Sequence, residues 1–534
     1  MGKKVQCDLH PEHRHSGICH YQEFTVKIIT IIFLLFVADI AWTQAISDDI
    51  SPDAILRNEF NTTDTGEIDQ SSYLYPHVVN RSNRMVYNFL SGKNLRIEPV
   101  MGIRWSSAGF EMDPMSTPAP VLWVSPGIKF SASTYLFDPM LNLWLYAWGR
   151  FHKHSAYGFN GSSVISDQTL FPYRPEYSVE YYSRTESPEN GIDLDESLGG
   201  VALVAPKFHL IWGKFRNHMG PSSRSNLHLS RTTPAYSQFR IVVNPNKRVS
   251  LTYMIGQLGS DIPDSSLYQQ VYEDDLDETV KMSSISRYVA MHRVDFLNPS
   301  RTLRLGLWEQ VIFGGRSIPF EYLNPITLFW SAQHKLGDVD NVQMGVDWEW
   351  MIRDQRLYGA LLMDEWAPYD TFKGSREHNW FGWQAGSSRI VRYNSLSMML
   401  TLEYTYMDPR VNLHRFPVND PQHHSYDIGY WTGGHAADWW FSVTMFPSHD
   451  LSGRFYWTTL RKGEQNREDI YENQSIQWMT GEIQKKQETG LDFWFWDSHQ
   501  IQYTLIIRWV ETQNLYPEDH FFDISIGALY NIHR

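Results

Sequence analysis

The sequence predicts an all-β protein: a large antiparallel β-barrel that crosses a membrane. Three observations predict it, namely long segments of alternating apolar and polar residues, an aromatic content of 15%, and an apolar stretch near the N-terminus. The chain of 534 residues exceeds the usual length of one soluble domain, and large barrels are an accepted exception. A bundle of membrane helices would need several apolar stretches of roughly 20 residues, and the sequence offers a single candidate.

Alternation is clearest from Asn341 to Ile352, where apolar residues occupy every second position. The apolar set is Val342, Met344, Val346, Trp348, Trp350 and Ile352. A β-strand places this set on one face and the intervening polar residues on the other. The same pattern occurs at 396–406, 501–509 and 522–530. Such segments approach the roughly 9–11 residues that a tilted strand needs to cross a membrane.

Polar stretches between these segments predict the loops of the barrel. They lie at 183–198, 259–279, 409–426 and 464–490. A soluble β-sandwich or jelly roll would also alternate, and it is the main alternative fold. Long strands with aromatic residues near their ends favour the membrane barrel, because a closed barrel leaves no unpaired backbone edge in lipid.

One predicted strand breaks the pattern. The segment 303–313 places Glu309 among apolar residues of the same parity. A carboxylate that faces lipid is unfavourable, so we expect either a β-bulge at this position or a strand end outside the apolar band.

The N-terminal part has the features of a secretory signal peptide. Lys27 precedes an apolar run at 28–37, and small residues end the segment at 43–45. This pattern predicts an exported protein that is cleaved after Ala45. The residues before Lys27 make an unusually long leader, so Val26 is an alternative start.

Both cysteines, Cys7 and Cys19, fall in this leader beside several histidines. A zinc site is the alternative interpretation, but the spacing matches no tight ligand pattern, and a discarded leader is preferred. A mature chain that starts at residue 46 contains no cysteine, and it needs neither a disulfide nor a thiol nucleophile.

The chain therefore divides into three predicted parts. The leader and signal peptide occupy 1–45, and a polar segment with a short predicted helix at 81–90 occupies 46–97. Regular alternation begins at about residue 98, so the barrel is expected over 98–534.

The net charge of −14 argues against nucleic acid as a partner, because phosphate binding requires a basic surface. The sequence also lacks a nucleophile elbow, a phosphate-binding glycine loop and a dinucleotide fingerprint. We therefore expect no cofactor and no enzymatic activity.

Three carboxylates permit a chemical alternative. Asp364, Glu365 and Glu321 are candidates for a glycosidase, which needs two carboxyl groups across a sugar bond. Charged networks that brace a polar lumen explain them more simply, so no catalytic residue is predicted.

Three histidines permit a metal alternative. His423, His424 and His435 are candidate ligands, but no further ligand at helix or hairpin spacing accompanies them. Loop histidines, or hydrogen-bonding residues of the lumen, are the commoner explanation, so no metal site is predicted.

Aromatic residues in the predicted loops are candidate sugar platforms. An aromatic ring packs against the apolar face of a pyranose, while nearby polar groups bind the hydroxyls. The candidate polysaccharide contacts are Trp380, Trp383, Tyr430 and Trp431. The alternative for each of them is a place in the aromatic girdle at the membrane interface.

Several segments resemble the Wzi family of outer-membrane capsule-assembly proteins. They lie at 208–230, 292–365, 429–438 and 461–463. The order and spacing of the pieces, rather than any single piece, make the match specific. The resemblance implies a barrel of about 18 strands and a small N-terminal helical segment that is periplasmic or plug-like, in a Gram-negative outer membrane. It also implies a lectin-like activity that holds capsular or exopolysaccharide at the cell surface without chemistry.

Two other functions stay open at this point. One is an outer-membrane hydrolase that acts on glycan or lipid, and the other is a diffusion porin with an open lumen. The expected partners are the polysaccharide and the lipid of the outer membrane.

Overall fold

The computed structural model of the protein describes residues 94–107, 120–135, 143–158, 185–186, 191–205, 207–246, 248–273, 277–300, 302–366, 379–393, 396–424, 426–448, 450–468, 478–497, 501–514 and 520–530. The predicted signal peptide, its cleavage after Ala45 and the predicted N-terminal helical segment lie outside these residues. In the part of the chain so described, no helix is long and apolar enough to span a membrane.

The described residues form 23 β-strands. In chain order they are β1 (Asn94–Ser106), β2 (Val121–Tyr135), β3 (Trp144–Gly158), β4 (Thr185–Glu186), β5 (Gly191–Ala205), β6 (Phe208–Phe215), β7 (Tyr236–Asn246), β8 (Val249–Leu258), β9 (Pro263–Glu273), β10 (Asp277–Ser284), β11 (Arg287–Leu297), β12 (Leu303–Gly314), β13 (Asn341–Ile352), β14 (Gln355–Trp366), β15 (Asn379–Tyr393), β16 (Leu396–Met407), β17 (Gln422–His423), β18 (Tyr426–Asp427), β19 (Ala436–Phe446), β20 (Leu451–Lys462), β21 (Gln484–Trp496), β22 (Ile501–Gln513) and β23 (His520–Tyr530). Two short helices, α1 (Phe320–Leu323) and α2 (Phe329–Lys335), and a 3-10 helix (Pro417–Asn419) lie in the connections.

Eighteen of these strands form one closed antiparallel barrel, which confirms the predicted fold class and strand number. Each wall strand pairs with its neighbour in the chain, and β1 pairs with β23 to close the sheet. The other five are small additions: β4 extends the edge of β5, while β9 pairs with β10 and β17 with β18. Closure matters because it leaves no strand edge with unpaired backbone groups facing lipid.

The apolar and polar residues that alternate in the sequence lie on opposite faces of the barrel wall. Strand β13 has the bounds predicted for it, and its Trp348, Trp350 and Ile352 are exposed on the outside. Between them, Asp347 and Glu349 point inward and are buried. The predicted pattern is confirmed equally in β16, β22 and β23. The barrel therefore has an apolar exterior and a lumen lined with charged and polar groups.

The two ends of the barrel differ in their connections. At one end, here the short-turn end, strands are joined by short turns, of which 353–354 between β13 and β14 is an example. At the other, the long-loop end, the connections include 216–235, 315–340 and 408–435. In bacterial outer-membrane barrels the short turns face the periplasm and the long loops face outward.

Three of the predicted loops contain more strand than expected. The stretch 259–279 contains most of the β9–β10 hairpin, 183–198 overlaps the start of β5, and 464–490 overlaps the start of β21. In β21, Lys486 is buried toward the lumen while Gln487 is exposed on the outside. Polar residues on both faces indicate that the strands of the wall continue beyond the apolar band. A polar stretch of sequence is therefore not sufficient to predict a loop in this barrel.

The outward face of β12 explains the unusual Glu309. Leu303, Leu305 and Leu307 are 40%, 38% and 44% exposed, whereas Glu309 is 5% exposed and Val311 and Phe313 are fully buried at 0%. Pairing with both neighbouring strands runs past Glu309 to Ile312 without a shift in register, so the bulge is wrong and, of the two expected explanations, only a place outside the exposed apolar band remains. Instead the connection 315–340, called the flap below, folds back over this part of the outer wall and covers the carboxylate.

The exposed leucines of β12 predict a strong penalty for charge on the outer face. We expect Leu307→Arg to destabilise the barrel by about 2–4 kcal/mol, the cost of a cation in the apolar band. Urea unfolding in lipid vesicles measures this change. The matched control is Gln487→Arg, which is also outward-facing but lies beyond the apolar band, and it should cost less than about 1 kcal/mol. Equal effects of the two substitutions would contradict the assigned lipid-facing band.

Candidate functional site: a plug inside the barrel

Two connections from the long-loop end fold into the barrel. They are 216–235, between β6 and β7, and 408–435, between β16 and β19, and together they are called the plug. Nearly all described residues of both connections are buried or half-buried. Their partners are inward-facing side chains of the wall, so the plug lies in the lumen rather than above it.

Asp438 is the wall residue that holds both connections. It lies on the inner face of β19 and is buried. Its Oδ2 accepts hydrogen bonds from Arg224 Nη1 at 2.6 Å, Tyr430 Oη at 2.8 Å and Trp431 Nε1 at 3.1 Å. Its Oδ1 accepts a bond from Thr458 Oγ1 of β20 at 3.1 Å. A buried charge is tolerated when it is paired and fully hydrogen-bonded in this way.

Arg287 on β11 provides a second attachment for the connection 408–435. Its Nε donates to the carbonyl of Val418 at 2.7 Å, and its Nη2 donates to that of Pro417 at 2.8 Å. Nη1 donates to the carbonyl of Gln422 at 2.8 Å. One guanidinium therefore satisfies carbonyl groups of a segment that has little regular secondary structure of its own.

The connection 216–235 is attached to strands β14 and β15. Arg356 of β14 donates to the carbonyl of Pro221, and Gln384 of β15 donates to the carbonyl of Ser225 at 2.9 Å. Arg356 also pairs with Glu349 of β13, at 3.1 Å. The plug is thus tied to a wide arc of the inner wall.

The two connections also bind each other. Ser230 donates its backbone N–H to the carbonyl of Ile428 at 2.8 Å, and Thr233 Oγ1 donates to the carbonyl of Asp427 at 2.7 Å. The backbone N–H of Trp431 donates to Ser225 Oγ at 3.1 Å. These bonds make the plug one unit instead of two independent loops.

The plug has an apolar core that it shares with the wall. One cluster joins plug residues to β12, β14, β15, β16, β19 and β20, and it comprises Leu227, Trp308, Ala360, Leu362, Trp380, Met407, Val411, Tyr430, Trp431, Ala436 and Leu460. A second joins Met219, Leu229 and Ile428 of the plug to β7, β8, β11 and β12. Burial of apolar side chains on this scale stabilises a fixed arrangement, because each fully buried large side chain contributes about 1.5–3 kcal/mol.

Below the plug, charged wall residues neutralise one another. Arg293 binds Asp295 at 2.6 Å and Asp347 at 2.6 Å, and all three side chains are buried. Arg304 forms a further pair with Glu349. Such a network suits a lumen in which charges are not free to attract a diffusing solute.

Burial also shifts the pKa values of plug residues that lie outside the strands of the barrel wall. His228 stacks on Trp308, with ring centroids 4.1 Å apart and an angle of 5° between the planes. Burial, and then the nearby Arg293, hold the pKa of this imidazole well below its usual value of 6.5. Burial raises the pKa of the Asp427 carboxyl to about 7. His228 is therefore neutral at physiological pH.

The structure separates the four aromatic candidates. Trp380, Tyr430 and Trp431 are buried together in the plug core. Trp383 lies on the outer wall, 5.0 Å from Tyr404, in an exposed aromatic group that is typical of a membrane-interface girdle. The first three thus meet a solute in the lumen only if the plug moves.

Two of the carboxylate candidates, Asp364 and Glu321, lie on opposite sides of the barrel wall. Asp364 points into the lumen, where it accepts the backbone N–H of Asn412 at 2.6 Å. Glu321 belongs to the flap on the outer wall and pairs with Lys335 at 2.7 Å. Glu365, the neighbour of Asp364 in β14, aligns with Trp380 of β15 across a shift in the β14–β15 register. Asp364 and Glu321 therefore do not lie across one sugar bond.

The three histidines also have separate partners. His423 Nδ1 accepts the N–H of Gly259 at 2.8 Å, and His424 pairs with Asp261 at 2.8 Å. His435 Nε2 accepts the N–H of Met479 at 2.8 Å. Among the described residues, no group of three or more His, Cys, Asp or Glu side chains is placed to hold a metal ion.

Asp438, Arg224 and Arg287 were missed at the level of the sequence. Asp438 occupies an ordinary inward position next to two tryptophans, and nothing in the local pattern marks its partners 214 and 8 residues away. An inward aspartate amid aromatic residues is nevertheless a signal that a donor must come from elsewhere, since a lone buried carboxylate is costly.

In fold, the chain is similar to Wzi from Escherichia coli, an outer membrane protein involved in group 1 capsule assembly and a carbohydrate-binding β-barrel. The two share 10% identity with a TM-score of 0.53, over 92% of this chain and 99% of that chain. A BenF-like porin from Pseudomonas fluorescens (9% identity, TM-score 0.45, 83% and 99% covered) and OpdK from Pseudomonas aeruginosa (10%, 0.42, 82% and 98%) are also similar. No protein-family model and no curated protein matches the sequence.

At such identities the likeness establishes the fold alone. The resemblance predicted from the sequence is confirmed at that level, since the chain has the barrel architecture of Wzi. The chain accordingly has the fold of an outer-membrane β-barrel, as predicted.

The bonds to Asp438 predict that its loss loosens the plug. We expect Asp438→Ala to raise ion conductance through the barrel in planar bilayers, because removal of one partner from a buried ion pair costs about 3–5 kcal/mol. The control is Asp354→Ala, which removes an exposed aspartate from a turn at the short-turn end. A barrel that stays equally closed in both variants would show that Asp438 does not hold the plug.

His228 predicts a loss of stability in acid. The unfolded chain binds a proton below about pH 6.5, whereas folded His228 resists it, so this contribution is present above pH 6.5 and is lost as pH falls. His228→Phe should keep the stack on Trp308 and reduce the acid-side slope of unfolding free energy by up to about 1.4 kcal/mol per pH unit. Urea unfolding from pH 7 to pH 4 measures the slope. His228→Ala should lower overall stability yet show the same reduced slope; an unchanged slope in both variants would count against the assignment.

Proposed function

We propose that the protein binds capsular polysaccharide or exopolysaccharide at the outer surface of the cell and performs no chemistry on it. The observation that carries the proposal is the plug. A packed unit fixed by Asp438 and Arg287 fills the lumen on the long-loop side, which is the side that faces outward in such barrels. A rigid surface built in this way suits the binding of a large polymer better than the passage of small solutes.

The likeness to Wzi supports this proposal. That protein is a carbohydrate-binding barrel involved in group 1 capsule assembly, and this chain resembles it over nearly the whole length of both. The sequence segments at 208–230 and 429–438, on which the family resemblance rests, contribute much of the plug and its attachment to β19. The resemblance and the candidate site therefore involve the same residues.

The two alternative functions fit the geometry less well. A diffusion porin needs a water-filled lumen, whereas here Leu227, Leu229 and Trp431 form part of a buried core inside the barrel. A glycan hydrolase of the common kind needs paired carboxyl groups, and Asp364 and Glu321 lie on opposite faces of the wall.

The polymer would meet the outer surface of the plug. Phe416 is exposed there, and the guanidinium of Arg415 lies 5.3 Å from the centre of its ring. Close by in the chain fold, Arg467 binds Asp420 of the plug at 2.7 Å. An aromatic ring beside charged donors can pack on the apolar face of a sugar and bind its hydroxyls. A long polymer would engage many such weak sites on neighbouring barrels, and avidity would follow.

The test uses cells in which the gene has been deleted and then restored. With the wild-type gene, we expect polysaccharide to stay attached to the cells; with Phe416→Ala, more should be shed into the medium. Loss of one stacked aromatic should weaken each contact by roughly 2–10-fold, equivalent to about 0.5–1.5 kcal/mol.

The control for this test is Tyr393→Ala, which removes an exposed aromatic residue at the short-turn end. It should behave like the wild type, and polysaccharide incubated with purified protein should release no new reducing ends. Attachment that is unchanged by deletion of the gene would remove the proposed function. Reducing ends that vanish in Asp364→Asn would establish a hydrolase instead.

A further inference from the structure

The flap carries a group of strongly exposed apolar side chains on the outside of the barrel. Phe320 is 86% exposed, Ile326 87%, Leu328 63%, Trp330 54% and Leu323 42%. These five residues, called the crest below, lie in or beside helices α1 and α2. A surface that faces water rarely exposes so many large apolar side chains together, so we expect an apolar environment around the crest.

The flap is held firmly against the wall on its other side. Glu309 of β12 accepts the backbone N–H groups of Phe329 at 2.9 Å and Trp330 at 2.7 Å, which open helix α2. The same carboxylate pairs with His292 of β11 at 2.9 Å. Glu309 thus fixes the start of α2, and with it the position of Trp330 in the crest.

Further contacts fix helix α1. Tyr253 Oη of β8 donates to the carbonyl of Tyr322 at 2.7 Å, and Tyr322 Oη donates to Asp340 at 2.6 Å. The ring of Tyr322 packs on Phe313, with centroids 5.0 Å apart. Arg316 completes the cluster with an ion pair to Asp340.

The flap covers outward-facing wall residues that would otherwise meet lipid. Its Tyr322, Phe329 and Ala332 form one buried cluster with residues on the outer faces of β8, β11, β12 and β13. The wall members of this cluster are Tyr253, Ala290, Val311, Phe313 and Val342. The flap therefore buries an apolar patch of the wall and exposes the apolar side chains of the crest in its place.

We propose that the crest inserts among the acyl chains of the outer leaflet of the outer membrane. The reason is continuity with the lipid-facing wall. On β12 the exposed Leu303, Leu305 and Leu307 lead directly up to the flap, and on β13 Trp348 and Trp350 do the same. The surface thus stays apolar from the wall onto the flap.

The polar part of the flap supports this orientation. Arg316 and Asp338 lie next to the strand ends at the long-loop end, where the lipid head groups and water begin. Lys335 at the end of α2 is exposed and pairs with Glu321. An element with an apolar face and charged residues along one margin is typical of a segment at a membrane interface.

A second copy of the barrel is the competing occupant. Stable protein interfaces involve about 20–30 residues a side, and the crest supplies only five exposed apolar residues. The exposed ion pair between Lys335 and Glu321 beside the crest would also require a matching polar surface on the partner. Lipid requires no such complementarity, so it is the occupant that the observations favour.

The test is a spin label on the crest, read in vesicles of phospholipid. Cys7 and Cys19 are first replaced by serine, since they are the cysteines of the chain. The label is then placed by Ile326→Cys and, in a second variant, by Leu328→Cys. Collision of the label with oxygen, which concentrates in hydrocarbon, is compared with collision with a water-soluble nickel complex.

Two reference positions calibrate the result. Leu307→Cys labels the lipid-facing wall, and Glu482→Cys labels an exposed loop in water. We expect both crest labels to match Leu307, with oxygen collisions severalfold above the Glu482 value and nickel collisions severalfold below it. Nickel access equal to that at Glu482 would overturn the proposal. Low access to both reagents, together with spin–spin broadening between copies, would overturn it in favour of a dimer.

Discussion

The carboxylate of Asp438 is the interaction on which the inside of this barrel depends. Four donors converge on it, from both connections of the plug and from the adjacent strand. A barrel of 18 strands encloses a lumen that its own inward side chains do not fill, since barrels of 16–18 strands commonly contain a channel. Filling it demands that long loops fold inward, and their polar backbone groups must then find partners. Arg287, Arg356 and Gln384 supply those partners, while Asp438 binds side chains of the plug.

Glu309 has a comparable role on the outer face of the wall. There too a carboxylate on a strand captures a connection from the long-loop end, with two backbone N–H groups of the flap taking the place of side-chain donors. Both carboxylates are buried only because a loop covers them. Glu309 interrupts the apolar face of its own strand, whereas Asp438 holds an ordinary inward position, and both are satisfied by distant partners. A buried charge on the outer face of a barrel wall is thus a marker for a loop that folds back.

This difference sets the limit on what the sequence could predict. The wall followed from alternation, because a strand's two faces depend only on residues two positions apart, as in β13. The flap could not be predicted in this way. Glu309 binds the N–H groups of Phe329 and Trp330, which lie about 20 residues further along the chain, and no local sequence pattern indicates that contact. Likewise Tyr430 and Trp431 were recognised as special aromatic residues, but their burial around Asp438 depends on the path of the whole loop.

A fixed plug has a consequence for any polymer that binds above it. A flexible loop loses conformational entropy when it is ordered by a ligand, and that loss weakens binding. Here the plug is already ordered when the protein folds. Hydrogen bonds from Ser230, Thr233 and Trp431 join the two connections, and apolar side chains of the plug pack in the core that it shares with the wall. The exposed residues of the plug therefore present a preformed surface. For a polymer that binds through many weak contacts, a small saving at each contact multiplies along its length.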